Sequence, residues 1–591
     1  MNPSQGARNR ARSPRVVRLA LAQTNPVVGD LPGNAKKVIA FIERARSQGA
    51  ELVAFPELVL TGYPPEDLLL RPEFIDQNQA ALEEVARATR GITAIVGFAQ
   101  RAGDVYNAAA IAHDGQIAAV YQKSHLPNYG VFDEVRYFRP GRDPFLCVRG
   151  ALRFAVNICE DIWTPSGPMA LALYGESDLV INLSASPFHA GKCRARDRML
   201  ATRAMDGVAY VAFVNAVGGQ DELVFDGNSR VFGPKGEEIA RAAAFAEDLV
   251  VVDLDLDQSF GARLKDPRSR EAAQTENGET PLRIVTLADI EAAGKPALPP
   301  RTVRAVEGPE EVYEALVLGT HDYVTKNGFR HVVLGLSGGV DSALTASIAV
   351  DALGAANVTG VFLPSPYTSR ESAEDAEALA KNLGTNYLTL PIGAEMDSYR
   401  KTLGPIFAGR AEDTTEENLQ SRIRGNLLMA LSNKFGWLVL TTGNKSEYSC
   451  GYATLYGDMA GGFAVLKDVY KTLVYDLSRH RNARAGGPWI PERTITREPT
   501  AELKPGQRDT DSLPPYEVLD PILQAYVEED WPIDRIVGRG YDLALVRRVI
   551  AMVDRAEYKR RQAPPGIRIT ARALGKDRRL PITSGHQPWQ D

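Results

Sequence analysis

From residue 16 onward, short apolar runs alternate with stretches whose apolar residues recur at helical spacing. The run VVRLALAQ comes first, then a helical pattern near Asn34–Gln48, then ELVAFPE. TAIVGFAQ, LRFAVNICE, DLVINLSAS and VAYVAFVNAV predict further strands, and NAAAIAHDGQIAAVYQK predicts a hairpin turning at Asp114-Gly115. Hairpins mixed with crossovers imply a mixed sheet.

Between about Gln274 and Glu307 the chain turns rich in Pro, Ala and Thr (GKPALPPRT), as a joining arm would. Beyond it the rhythm is regular: HVVLGLS, a Gly-rich turn, a helix from Asp341, VTGVFLP, a second helix, NYLTLPI, a helix near Glu416–Lys434, and WLVLTTGN. Strand and helix alternating in this way predict a doubly wound parallel sheet with helices on both faces. The division expected is a basic tail over 1–16, one α/β domain over 17–273, an arm over 274–307 and a second α/β domain over 308–591. The stretch from about His480 to Pro515, rich in Arg, Pro and Gly, is expected to form a long functional loop.

Composition narrows the function. A net charge of -6 disfavours a nucleic-acid binder working by phosphate neutralisation and points to small-molecule substrates. No apolar run approaches the roughly 18 residues of a membrane span, and MNPSQGARNRARSPR lacks the apolar core of a signal peptide, so a cytoplasmic chain is expected. Cys147, Cys159, Cys193 and Cys450 form no C-x-x-C pair, which argues against both a zinc site and a disulfide framework.

The most informative string is Gly335-Leu336-Ser337-Gly338-Gly339-Val340-Asp341-Ser342, set between a predicted strand and a predicted helix. Backbone N–H groups of such a turn converge on a phosphate, and the helix N-terminus adds positive potential. The Lys-Ser/Thr ending of a Walker A loop is missing, so cleavage between the α- and β-phosphates is favoured over γ-phosphoryl transfer. The octet resembles the pyrophosphate loop of the N-type ATP pyrophosphatases. Within them, EENLQSRIRGN, TTGNKSEYSCGYATLYGD, LKPGQRDTDSLPPYEVLD and EYKRRQAPPGIRIT resemble the NAD synthetases. That resemblance implies ATP contacts along the octet and at Thr442, deamido-NAD contacts at Asn418, Glu447 and Lys559, and Mg2+ held by Asp341 and Glu447.

In the first half, Glu57 in AFPELVLTGYPPED, Lys123 in YQKSHLPNYGVFDE and Cys159 in VNICEDIW each follow an apolar strand. A thiol with an ordinary pKa of about 8.5 needs a neighbouring base or cation to attack at neutral pH, and Glu and Lys supply both. These strings resemble the nitrilase, or carbon-nitrogen hydrolase, family. The resemblance implies an αββα sandwich with Cys159 as nucleophile, Glu57 as proton carrier, Lys123 at the oxyanion and Glu134 orienting Lys123. It also implies glutamine contacts at Tyr129, Ser186 and Lys192. His125 and His189 lie near these motifs and are expected to give packing or polar support.

Joined, the two resemblances imply that ammonia freed from glutamine in front attacks an AMP-activated deamido-NAD behind, through a sheltered passage, in a homo-oligomer. Two other readings stay open: a different adenylate-forming glutamine amidotransferase, and a glutamine- or nucleotide-sensing protein without turnover.

Overall fold

The computed structural model describes residues 15–165, 167–170, 176–267, 283–290, 294–484 and 486–590. The first half contains two mixed sheets. One runs in the order Asp248–Asp255, Val16–Gln23, Leu52–Ala54, Thr93–Arg101, Val105–His113, Gln116–Gln122. The other runs Glu238–Arg241, Arg230–Phe232, Tyr210–Asn215, Leu179–Ser184, Leu152–Ile158, Phe145–Arg149, Arg283–Thr286.

Side-chain alternation explains why the strands read as continuous apolar runs. Val17, Leu19 and Leu21 point between the sheets, against Phe154, Val156, Ile181 and Val214 of the second sheet. Ala20 and Ala22 point the other way, under Val38, Phe41, Ile42, Leu82 and Val85 of the helices Leu31–Ser47 and Pro72–Arg87. Helix Lys192–Gly207 covers the second sheet with Leu200 and Ala204. Both faces of both sheets are therefore buried, and the layers are αββα. The Asp-Gly hairpin forms as its turn chemistry predicts, with positive φ at both Asp114 and Gly115.

The second half contains an all-parallel sheet in the order Asn386–Thr389, Val358–Phe362, Val332–Gly335, Leu438–Thr441, Phe463–Ala464. Val332 and Leu334 face Ala343, Leu344 and Ile348 of helix Val340–Leu353. Val333, Val361 and Val439 face Ile423 and Leu428 of helix Thr414–Phe435 on the opposite side. The first-formed strand, Val332–Gly335, lies between Val358–Phe362 and Leu438–Thr441. Chain direction across the sheet reverses there, so loops leaving these strands part and open a crevice.

Two stretches depart from the sequence reading. The arm 274–307 is not free over its described residues: Arg283–Thr286 adds a parallel edge strand beside Phe145–Arg149. Further along, Pro296 O accepts from Arg18 (2.7 Å), and Arg301 pairs with Asp248. The stretch 480–515 is not one loop either. Helix Lys471–Ala483 runs into it and a short helix, Glu492–Thr496, lies within it. Asn482 Oδ1 accepts from the N–H groups of Trp489 and Ile490, both at 2.9 Å, folding the Gly-Pro stretch back so that Ile490 is buried. The basic tail lies outside the described residues as far as residue 14.

The halves interlock. Phe188 and Val224 of the first half pack in the apolar cluster of the second, among Val312, Leu316 and Ile567. The hairpin Val217–Gln220/Leu223–Asp226 lies on helix Pro309–Lys326, so close that a Cβ on Gly219 would sit 3.1 Å from Gly319 Cα. Asp322 of that helix accepts from Gly219 N and from Asn25 Nδ2, both at 2.7 Å, and Lys326 donates to Gly219 O at 2.8 Å.

Candidate functional site

Two sites result, one per half. In the first, three loop segments leave strands of both sheets and converge. Glu57 follows Leu52–Ala54, and its segment lies so tightly on the neighbouring strand that a Cβ on Gly97 would be 2.4 Å from both Pro56 O and Leu58 N. Only glycine fits there. Lys123 follows Gln116–Gln122, and Cys159 opens a tight turn after Leu152–Ile158 in the left-handed backbone region, φ +44°. That strained conformation for a side-chain-bearing residue is typical of functional turns.

Lys123 is wholly buried, with Nζ 2.7 Å from Glu57 Oε1 and 2.8 Å from Glu134 Oε1. Glu57 also accepts from Asn107 Nδ2 (2.7 Å) and from Ala185 N (3.0 Å), and Glu134 accepts from Tyr63 OH (2.9 Å). Burial works against the Lys123 charge, but Glu134 and Glu57 outweigh it and hold the ammonium well above its ordinary pKa. Glu134 is pushed up to about 7, by burial first and Glu57 second, against the pull of Lys123. Cys159 is likewise raised, by burial and then by Glu57, with Lys123 opposing. Cys159 thus rests as the thiol. The structure brings Glu57, Lys123, Glu134 and Cys159 into one buried cluster.

Asp161, two residues past Cys159, ties the cluster together. It accepts from Ile158 N (3.0 Å) before the cysteine, and from Tyr121 OH (2.8 Å), Ser124 N (3.2 Å) and His125 N (2.8 Å) around the lysine. His125 Nδ1 also meets this carboxylate at 3.1 Å. Tyr129 OH donates to Glu160 at 3.0 Å and is half exposed at the rim. Lys192 donates to Pro187 O at 2.8 Å and is pushed down to about 8, by burial and then by Arg196. Ser186 is buried, its N–H donating to Asn215 Oδ1 at 2.9 Å. His189 is pushed down to about 4 by burial and carries no proton at neutral pH.

The second site is a cavity of about 610 Å³ at the crevice, lined by the whole octet Gly335–Ser342 with Asn418, Thr442, Glu447, Lys471 and Lys559. Gly338 has φ +83°, and a Cβ there would lie 2.5 Å from Ser372 O, so no other residue fits the turn. Ser342 Oγ donates to Gly339 O (2.9 Å) and accepts from Ser337 N (3.3 Å), bracing the loop at the start of helix Val340–Leu353. Asp341 accepts from Asn444 Nδ2 at 2.9 Å and pairs with Lys471, which lies 3.8 Å from Glu447. Burial and then Asp341 hold the Glu447 carboxyl well above its ordinary range, with Lys471 opposing. Two crowded carboxylates offer hard oxygen ligands and a deficit of positive charge, which suits a divalent cation that keeps waters and substrate phosphates in its shell. Asn418 accepts from Thr454 Oγ1 at 2.8 Å, and Lys559 donates to Gly451 O and Ala453 O at 2.7 and 2.8 Å.

Sequence reasoning missed Asn107, Tyr63 and Asp161 in front and Lys471 and Asn444 behind. A buried-strand polar residue, third in the otherwise mostly apolar VYNAAAIAH, was a usable signal for Asn107. Lys471, distant in the chain from the octet it serves, offered none.

The carbon-nitrogen hydrolase family model matches residues 18–263, and the NAD synthase family model matches residues 312–563. The glutamine-dependent NAD(+) synthetase of Thermotoga maritima is 52% identical over 574 residues, covering 96% of this chain and 98% of that one. That of Acinetobacter baylyi is 44% identical, covering 97% and 99%. Among solved structures, the glutamine-dependent NAD+ synthetase from Acinetobacter baumannii in complex with ADP superposes with a TM-score of 0.73 at 44% identity, covering 97% of this chain and 99% of that one.

Proposed function

The chain belongs to the glutamine-dependent NAD(+) synthetases, and from that premise we propose how its two clusters divide the work. It is a glutamine-hydrolysing ligase, which removes the other acyl acceptors and the turnover-free sensor left open by the sequence. In front, Cys159 Sγ attacks the glutamine carboxamide while Glu57 takes the thiol proton, because a thiol held protonated by burial attacks only as it loses that proton. Lys123 stabilises the oxyanion, and Glu57 returns the proton to the departing ammonia. Water then cleaves the thioester, with Glu57 again as base. Glu134 keeps Lys123 charged and in place. Tyr129, Ser186 and Lys192 hold the amino-acid head group.

Behind, the deamido-NAD carboxylate displaces pyrophosphate from the ATP α-phosphorus, and ammonia displaces AMP from the resulting acyl-adenylate. The N–H groups of residues 335–342 cradle the phosphates at a helix N-terminus, with Thr442 beside them. Asn418, Glu447 and Lys559 contact deamido-NAD. Mg2+ held by Asp341 and Glu447 would neutralise phosphate charge. The ADP held by the Acinetobacter baumannii relative supports adenine-nucleotide use in this cavity. Exposed Ile406 and Phe435 on the second half fit burial in a homo-oligomer, and four unpaired cysteines fit a cytoplasmic, reducing setting. The domain limits that fit this division are about 17–273 and 308–591, with strand Arg283–Thr286 of the arm serving the front sheet.

The observation that carries the proposal is the buried Lys123 between Glu57 and Glu134 beside Cys159, in the same chain as the nucleotide cavity. Cys159→Ala tests it: NAD formation from glutamine is expected to vanish while formation from ammonium salt persists. Normal use of glutamine by the variant would end the assignment.

A further inference from the structure

Asn107 stands at the second position after Val105 in strand Val105–His113, directly across the sheet from Lys123, whose backbone N–H it receives at 2.8 Å. Its side chain is 1% exposed, and its amide nitrogen donates to Glu57 Oε1 at 2.7 Å and, at the longer distance of 3.4 Å, to Glu134 Oε2. One neutral group therefore bridges the two carboxylates that share a single lysine. Its Oδ1 is buried with no hydrogen-bond partner among the described residues. A buried unsatisfied carbonyl costs free energy. Turning the amide over would cost more, since it would aim that oxygen at two carboxylates. The orientation is thus dictated by the negative charge it faces.

Two carboxylates against one ammonium leave the cluster an excess negative charge in a water-poor pocket. The groups facing Glu57 are Lys123, Glu134, Cys159 and Tyr63, with Glu160 and Lys192 farther out towards the thiol. Among the described residues, Lys123 is the cation in contact with both carboxylates, and Asn107 is a donor that touches both without adding charge.

We infer that Asn107 is a positioning residue for glutamine hydrolysis: its amide holds the Glu57 side chain in place, aimed at Cys159. The inference rests on the proposed role of Glu57.

The test uses the full chain with two nitrogen donors. Asn107→Ala is expected to lower kcat with glutamine on the order of 10- to 100-fold, the loss of a hydrogen bond to a charged group. Its KM for glutamine should stay within about threefold, since a carboxylate base is not a binding contact. NAD formation from ammonium salt should be unchanged. Asn107→Asp keeps the shape but adds a third carboxylate, so it should be worse than Ala with glutamine. A packing role predicts the reverse order, Asp near native and Ala impaired. That order, a loss carried by KM with kcat unchanged, or an equal loss with ammonium salt would each overturn the inference. Cys159→Ala runs alongside: if it still used glutamine, the underlying proposal would fail, whereas an inactive Cys159→Ala with Asn107→Ala at native kcat would sink the Asn107 role alone.

Discussion

At Lys123, one ammonium is opposed by two buried carboxylates, and the imbalance sets what substitution does. Removing one partner of a buried ion cluster costs on the order of 3–5 kcal/mol, because the remaining charges lose compensation without regaining water. Lys123→Ala should therefore lower the stability of the chain by that amount in denaturant titration, besides abolishing glutamine use. The pH dependence follows from Glu134, held up to about 7 in the fold against roughly 4.3 in an unfolded chain. The folded form binds the extra proton, so this group's contribution is complete below about pH 4 and is lost as pH rises through about 7. Without the opposing pull of Lys123, Glu134 stays protonated still further up. The stability deficit of Lys123→Ala should accordingly be smaller at about pH 5 than at about pH 8. Glu57, Lys123 and Cys159 were legible in the sequence because each ends an apolar strand inside a distinctive string. Asn107 and Asp161 were not, because their work is done through space on residues from other strands.

Among elements, the turn from strand Val332–Gly335 into helix Val340–Leu353 lines the cavity proposed above for the nucleotide. Its conformation at Gly338 is forced by Ser372 O on one side and by positive φ on the other. Gly338→Ala adds a left-handed backbone cost of about 1–2 kcal/mol and a contact that only movement of the turn relieves. KM for ATP should rise about tenfold or more in a pyrophosphate-release assay, while glutamate release by the first half continues. The central strands and the covering helices were legible because both faces of each sheet are covered there, which makes those strands apolar runs, whereas edge strands such as Asn386–Thr389 are polar and exposed. The stretch 480–515 is loop over most of its described length, as its Arg, Pro and Gly predict, and residues 497–504 line the cavity; that composition hid only the helical pieces at its start and at Glu492–Thr496. Asn482 replaces apolar periodicity with hydrogen bonds to Trp489 and Ile490.

For the whole molecule, the junction decides whether two chemistries become one. Asp322 receives Gly219 and Asn25 across the boundary, and no local pattern in helix Pro309–Lys326 announces that duty. Asp322→Ala should leave glutamine hydrolysis and ammonium-driven synthesis each near normal. The glutamine consumed per NAD formed should increase, measured as the ratio of glutamate to NAD. Phe188 and Val224 carry a further consequence. Each is a tenon cut on one module and seated in the other, so a fragment ending near residue 286 would leave oily side chains in water and an open socket behind. Such pieces should clump when expressed singly, and the intact chain should melt in a single endotherm in scanning calorimetry.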